Sequence, residues 1–537
     1  MRIARLPGIP HLGRPYRRLH RGPPTTKAGA DLDHLRASPR CLRRSPPPPG
    51  SAGLRRTCNP AGRAQGRGTR RGRLAAGVRL FRARRRLVRR TDSGTGAHSQ
   101  RQDPAKGRAL MGAGGIGRAA RALARRDLPH VILGNAAQQA FGFATVLVIA
   151  RLLDPGEFGI VRVALAYVAV ATVVAAGGLT APVLRYCADN AFDGTARRGL
   201  LGLALKRMLT VALTTLGILL LLIAAKPADP LESSVFGAYA LQLPALAATS
   251  LLGVYLQAER RFKLMAYFPV ATRFMALAVT AGATYCHGLP GLLVSSLALT
   301  YLACVPLLLA TRPAWRPIGA LRIPADFSSL AFHSVTGSLI TVVGQYADLI
   351  LLDVTGVDKE QVAVYSLATI FFFSAVAVGG AAQGIATPTF TALLNQPQRF
   401  RAQLLKWSGL LSAAAIPLAA ISVLVAWIVE VYFLGPRYQH LSLFVGLLMI
   451  KFCLWCTYAI GGAALVGIGA IRLGTGIALV TTALTIGIGY PMSVQHGIWG
   501  IAWTQVFVAL ASTVLVWGAI FVEIRRLFER KQSGGVV

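Results

Sequence analysis

From Leu128 to about residue 521 the chain repeats one pattern: some twenty apolar residues, a short polar or Gly/Pro-containing break, then another apolar run. An α-helix rises about 1.5 Å per residue, so about 20 apolar residues cross a hydrocarbon core about 30 Å thick. That yardstick predicts spans near 129–151, 160–182, 208–225, 235–257, 265–286, 289–310, 329–352, 361–387, 408–429, 441–466, 473–493 and 497–521. The connections between them are too short to fold as extramembrane domains. The expected fold class is all-α, a polytopic membrane protein of about 12 transmembrane helices in two six-helix bundles.

The pattern fails before residue 111. There the sequence runs through Arg, Pro, Gly and Ala, including PPPPG at Pro46 to Gly50 and FRARRRLVRR at Phe81 to Arg90. Such a stretch cannot bury enough apolar surface to offset chain entropy, so it reads as a disordered basic tail. An organellar leader, a nucleic-acid-binding arm and translated sequence upstream of a start at Met111 are the competing readings. The short basic lead-in MGAGGIGRAARALARRDLPH favours the last.

Composition agrees with lipid as the main solvent: 54% of the 537 residues are hydrophobic and 15% charged. The formal charge of +38 would suggest nucleic acid if it were spread over a folded domain. Residues 1–110 hold 28 of the 58 Lys and Arg against four acidic residues, so the charge is concentrated in the tail and no nucleic-acid partner is expected. Among the spans the remaining cations alternate. Loops after even-numbered spans carry Arg185, Arg197, Arg198, Arg260, Arg261, Lys263, Arg312, Arg399, Arg401 and Arg472, whereas the opposite loops offer little beyond Arg151, Lys226, Lys359 and Arg437. Positive loops stay inside, so both termini are expected in the cytoplasm and the protein in the inner membrane. The seven cysteines form no disulfide pattern, and Cys453 and Cys456 lie in an apolar run without His or acidic ligands, so packing explains them. No metal or cofactor is expected.

The halves are weakly self-similar. LLDPGEFGIVRVALAY from Leu152 aligns with LLDVTGVDKEQVAVYSLA from Leu351, and HGLPGLL from His287 aligns with HGIWGIA from His496. Duplicated bundles of this kind place a substrate path between the halves. The expected organisation is a tail at 1–110, a first bundle at 111–311, a linker at 312–328, a second bundle at 329–527 and a C-terminal tail at 528–537.

ARLLDPGEFGIVRVALAYV at Ala150 to Val168, GGLTAPVLRY at Gly177 to Tyr186, LQAERRF from Leu256 and the two Gly-x-x-Gly hairpins together resemble polysaccharide-repeat (Wzx-type) flippases. These belong to the multidrug/oligosaccharidyl-lipid/polysaccharide exporter superfamily. The resemblance covers Leu128 to about Leu527 and implies alternating access that carries a polyprenyl-pyrophosphate-linked oligosaccharide between leaflets, with no enzymatic step. Membrane lipids, H+ or Na+ as coupling ion and polysaccharide polymerases would be its partners. Three alternatives remain open: a multidrug or cation antiporter of the same superfamily, a facilitator-type transporter and a membrane polymerase or ligase. The facilitator reading rests on a partial loop signature, DNAFDGTARR at Asp189 to Arg198. The last lacks a sizeable outward loop.

Ionisable groups inside spans are costly, so each is a functional candidate. Arg273, Lys451 and Arg151 could meet a pyrophosphate from different helices; Asn135, Gln138 and Gln505 could meet sugars, with Gln139, Gln242 and Gln383 as further amides. Asp348 follows Gln345 by three residues, which places both near one face of the seventh span as a candidate ion-coupling pair. The competing readings are snorkelling for Arg273, a buried ion pair for Asp348 and an interface anchor for Arg162.

Overall fold

The computed structural model describes residues 128–188, 193–225, 229–315, 324–394 and 396–532. The expected basic tail, and Asp189 and Lys226, lie outside them. Twelve helices follow one another: α1 Leu128–Leu152, α2 Pro155–Ala175, α3 Thr180–Ala188, α4 Gly194–Ala225, α5 Pro230–Ala240, α6 Leu243–Ala258, α7 Phe262–Thr311, α8 Phe327–Val354, α9 Lys359–Ala392, α10 Pro397–Ile428, α11 Leu441–Ile468 and α12 Ile471–Gln532. A π-helical turn and a 3-10 turn, Val429–Leu434 and Gly435–Tyr438, join α10 to α11.

These helices are not the twelve expected spans one for one. Nine helical stretches among the described residues are long and apolar enough to cross a membrane. Two of the nine, within α7 and α12, are helical hairpins. Gly288 (φ 61°, ψ −142°) and Gly497 (φ 57°, ψ −134°) take backbone conformations essentially restricted to glycine, and the chain doubles back at each. A Cβ added at Gly291 would collide with the carbonyl of Ala283, and one at Gly500 with that of Met492. In a straight helix those carbonyls would be about 12 Å away. The two aligned His-Gly-x-x-Gly motifs thus fold alike. Elsewhere two expected spans are each two helices: 160–182 divides at Gly177 and Gly178 into α2 and α3, and 235–257 divides near Gln242 into α5 and α6.

Helix starts follow local chemistry. At the ends where the connecting loops are poor in Arg, Asp154, Asp229 and Asp358 occupy N-cap positions before α2, α5 and α9; Pro155 and Pro230 open the first two of these helices. Asp229 and Asp358 accept from the backbone N–H of Leu231 and Glu360, and Glu157, Glu232 and Glu360 complement the helix dipole. Asp154 holds the position without accepting a side-chain hydrogen bond. At the Arg-rich end Asp193 caps α4 by accepting from Ala196 N–H (2.9 Å) and the Thr195 hydroxyl (3.1 Å).

The first seven helices pack chiefly among themselves, as do α8 to α12, and α2 joins the two sets by lying against α8 and α9. Large apolar side chains face outward, among them Leu221 (71% exposed) and Tyr285 (79%), as lipid-facing surfaces require. Small and aromatic residues fill the interior: Phe158, Tyr255, Tyr365, Phe390 and Phe444 are fully buried. This is a multi-pass membrane protein.

Candidate functional site

Lys451 lies ten residues into α11, in the run LLMIKFCLWC. An ammonium there demands compensation, and the structure supplies part of it. Its Nζ donates to Gln505 Oε1 on α12 at 2.7 Å and sits 4.3 Å from the centre of the Phe372 ring on α9. Of its three N–H donors one is used by Gln505. The side chain faces a cavity of about 380 Å³ between α8, α11 and both arms of α12. Gln345, Gln505, Thr341, Thr481, Thr482, Thr485 and Ser512 share its wall. Thr341, Thr485 and Ser512 donate to carbonyls four residues back on their own helices, at 3.0, 2.9 and 2.7 Å. Their oxygens keep accepting capacity for a ligand hydroxyl. The cavity therefore offers a cation, amides and hydroxyl acceptors in one place.

Asp348 is buried and does not line this cavity. A three-residue step turns a helix side chain by about 60°, and that step divides the expected Gln345–Asp348 pair: Gln345 faces the cavity, while Asp348 accepts from the Tyr365 hydroxyl of α9 and from Leu349 N–H, both at 2.8 Å. Asp348 interacts electrostatically with Lys451 of α11 and with Arg162 of α2. Arg162 is not the surface anchor that its sequence position suggested. Helix α2 begins at Pro155, so Arg162 lies two turns inside, interacts electrostatically with Tyr239 and Tyr346, and has a buried Nε without a hydrogen-bond partner. The three groups carry two formal positive charges and one negative.

The remaining candidates do not join this cluster. Arg273 is exposed on α7 beside Gly142 of α1. Asn135 and Gln139 are exposed and Gln138 half-buried on the same helix α1. Arg151 projects at the Arg-poor end, 5.1 Å from the centre of the Phe433 ring. Gln242 is spent on helix contacts: it donates to Ser296 (3.1 Å) and accepts from Thr300 (3.0 Å). Gln383 donates to the Ala459 carbonyl at 2.8 Å. Cys453 and Cys456 are free and packed, and no cluster of metal-ligating groups occurs among the described residues.

Residues that the sequence did not mark close the protein at both ends. At the Arg-poor end Lys359 contacts Asp353 and lies 3.6 Å from Glu232 of α5, Tyr167 of α2 donates to Asp353 at 3.1 Å, and Tyr438 donates to the Ala150 carbonyl at 2.9 Å. Gly159 of α2 abuts the Lys359 backbone so closely that a Cβ would collide with its carbonyl. At the Arg-rich end Tyr186 donates to Asp326, Arg185 lies 3.5 Å from the same carboxylate, and Gly178 meets the Ala331 carbonyl. The Tyr186 hydroxyl, more than Arg185, holds the Asp326 carboxyl below its ordinary pKa. Arg185 and Lys359 were visible in the sequence only as loop cations.

Residues 148–443, more than half of the chain, match the family described as polysaccharide biosynthesis protein. The chain belongs to this family. Among solved structures this family member is similar to lipid II flippase MurJ in an inward closed conformation, with a TM-score of 0.61 and 11% identity over 76% of this chain and 94% of that one. An inward-facing multidrug resistance MATE family transporter of the MOP superfamily gives 0.56 at 12% identity, covering 73% and 96%. The outward-facing form gives 0.56 at 14% identity, covering 76% and 96%. At such identities the likeness is one of fold. No curated protein matches the chain. The polysaccharide biosynthesis family and the transporter fold agree with the sequence reading of a membrane transporter.

Proposed function

We propose that the protein flips a polyprenyl-pyrophosphate-linked oligosaccharide from the cytoplasmic to the periplasmic leaflet of the inner membrane for surface polysaccharide assembly, with both termini in the cytoplasm. The observation that carries this reading is Lys451: a mid-span ammonium, held by one amide, facing a cavity of amides and hydroxyls in a member of a polysaccharide biosynthesis family. A pyrophosphate entering a low-dielectric interior needs a cation, and sugars need neutral donors and acceptors. Lys451 and Gln505 would take the phosphate, and Gln345 the adjoining sugar. Arg273, Asn135 and Gln138 on α1 and α7, and Arg151 at the Arg-poor end, would meet the head group elsewhere along its path.

Asp348 is the group that would couple transport to H+ or Na+, because it is a buried carboxylate that interacts with both Arg162 and Lys451. A polysaccharide polymerase would take the delivered repeat.

Deleting the gene and restoring it with wild-type or Lys451→Ala protein tests the proposal. Loss of surface polymer with accumulation of complete lipid-linked repeats in the inner leaflet is expected for the deletion and for Lys451→Ala, with membrane insertion of the variant unchanged. Normal polymer in the deletion strain, with new sensitivity to small organic cations, would favour a cation antiporter instead.

A further inference from the structure

The cavity at Lys451 does not end at its polar wall. A second cavity, of about 310 Å³, adjoins it and shares Thr341, Tyr458 and Gly474 with it. Its lining is apolar, with Leu465, Val466, Ile477 and Val516 prominent. Two of its polar groups are tied off internally: Thr341 donates to the Gly337 carbonyl and Gln383 to that of Ala459. Along α11 the residues lining the joined space are Lys451, Trp455, Tyr458, Ala459, Gly462, Leu465 and Val466, which recur at steps of three and four and so form one helical stripe. From Lys451 to Val466 that stripe runs about 22 Å, ending toward the Arg-rich end of the helix. The joined space is thus a long groove with a cation near one end and apolar walls beyond it.

Its glycines explain why it is open. Gly337 of α8, Gly462 of α11 and Gly474 of α12 line the apolar part, and a Cβ at any of them would meet nothing within 4 Å. Neighbouring glycines differ: Gly461 abuts Ile520, Gly344 abuts Thr482 and Gly379 abuts the Trp455 ring, so helix packing requires them. A side chain larger than a methyl group at any of the three would project into the space that they line.

We infer that this groove holds the isoprenoid chain of the lipid-linked substrate while Lys451 holds its phosphate. The inference rests on the function proposed above and adds where the lipid part lies. An occupant must carry an anion at one end and an extended apolar chain behind it, and the groove's continuity with the Lys451 cavity selects the substrate's own chain over an unrelated one. The chain then lies within the second bundle, directed toward the Arg-rich end, when the head group has reached the middle of the span.

The experiment measures binding of undecaprenyl phosphate and of geranyl phosphate to the purified full-length protein in nanodiscs, by native mass spectrometry. Wild-type protein is expected to bind the long chain at least tenfold more tightly, and Lys451→Ala to weaken both probes. Gly462→Leu and Gly337→Leu, on different helices, are expected to remove the chain-length advantage while leaving geranyl phosphate binding unchanged, which also reports that each variant is folded. An advantage that survives both substitutions overturns the groove assignment and leaves the flippase reading standing. Absence of binding of either probe to wild-type protein overturns both. Equal competition by phosphatidylglycerol would make the groove a bilayer-lipid site and overturn the assignment to substrate.

Discussion

At the scale of single residues, the charges inside the bundle are held by few partners and each loss has a defined consequence. Replacing Asp348 by Leu removes the acceptor of the Tyr365 hydroxyl and a carboxylate that interacts with two cations, and an unsatisfied buried polar group costs about 1–3 kcal/mol. A lower thermal midpoint of the purified variant is the expected result; Asp348→Asn, which keeps an acceptor, should lose less. Asp326 behaves differently, because it lies outside the spans. Its pKa is lowered in the folded protein, chiefly by Tyr186, so the stabilisation is complete above the unfolded value of about 3.9 and is lost only as pH falls through the lowered one. The Tyr186–Asp326 contact should therefore be constant from about pH 5 to 8, as read by spin-label distances across the Arg-rich end. A transition near neutrality would contradict this, and Tyr186→Phe should raise the Asp326 carboxyl toward its ordinary value. Lys451 and Gln505 were legible in the sequence because a polar side chain in an apolar window stands out. Tyr365 and Tyr186 were not, since tyrosine fits an apolar run and only the fold shows which carboxylate its hydroxyl reaches.

At the scale of elements, hydropathy located the helices well and their ends less well. The expected start at 160 missed the first turn of α2 because Asp154 and Pro155, which begin the helix, look like loop residues to a hydropathy window. The same offset made Arg162 look superficial. Helix α4 begins at Gly194 rather than 208, because Arg197, Arg198, Lys206 and Arg207 extend it beyond the apolar stretch. This also gives Asp193 a plain role as a helix cap where the sequence allowed a facilitator-type loop signature. Both His-Gly-x-x-Gly turns were visible as repeats, yet the reason for the glycines is conformational. Gly288→Ala and Gly497→Ala each force a side chain into a backbone region that costs about 1–3 kcal/mol. Reduced yield and a lower unfolding midpoint in detergent are expected for each. Wild-type stability in either variant would mean that the turn relaxes to another conformation.

At the scale of the whole molecule, contacts of α1 and α2 close the Arg-poor end and contacts of α3 and the turn before it close the Arg-rich end, and transport requires each closure to open in turn. Gly159→Leu should hold the Arg-poor end apart, because the new side chain meets the Lys359 backbone. Cysteines placed near Lys359 should then react faster with an impermeant thiol reagent, while export stops. Gly178→Leu should do the same at the Arg-rich end. The repeat pointed to two moving halves, but the contacts that join them are side-chain pairs from distant segments, such as Tyr438 with Ala150, and no local pattern encodes them. Arg162, Asp348 and Lys451 also make the carrier an electrical object. With all three groups ionised, the empty cluster has one positive charge in excess, and the proposed pyrophosphate diester would leave it with one negative charge in excess. A membrane potential that is negative inside then favours outward movement of the loaded form and inward return of the empty one, by up to about 2.3 kcal/mol per charge per 100 mV across the full field. Export in polarised vesicles should outpace export after the potential is collapsed, and Lys451→Gln should blunt the difference, so the resting voltage of the cell becomes a driving force acting on both strokes of the cycle.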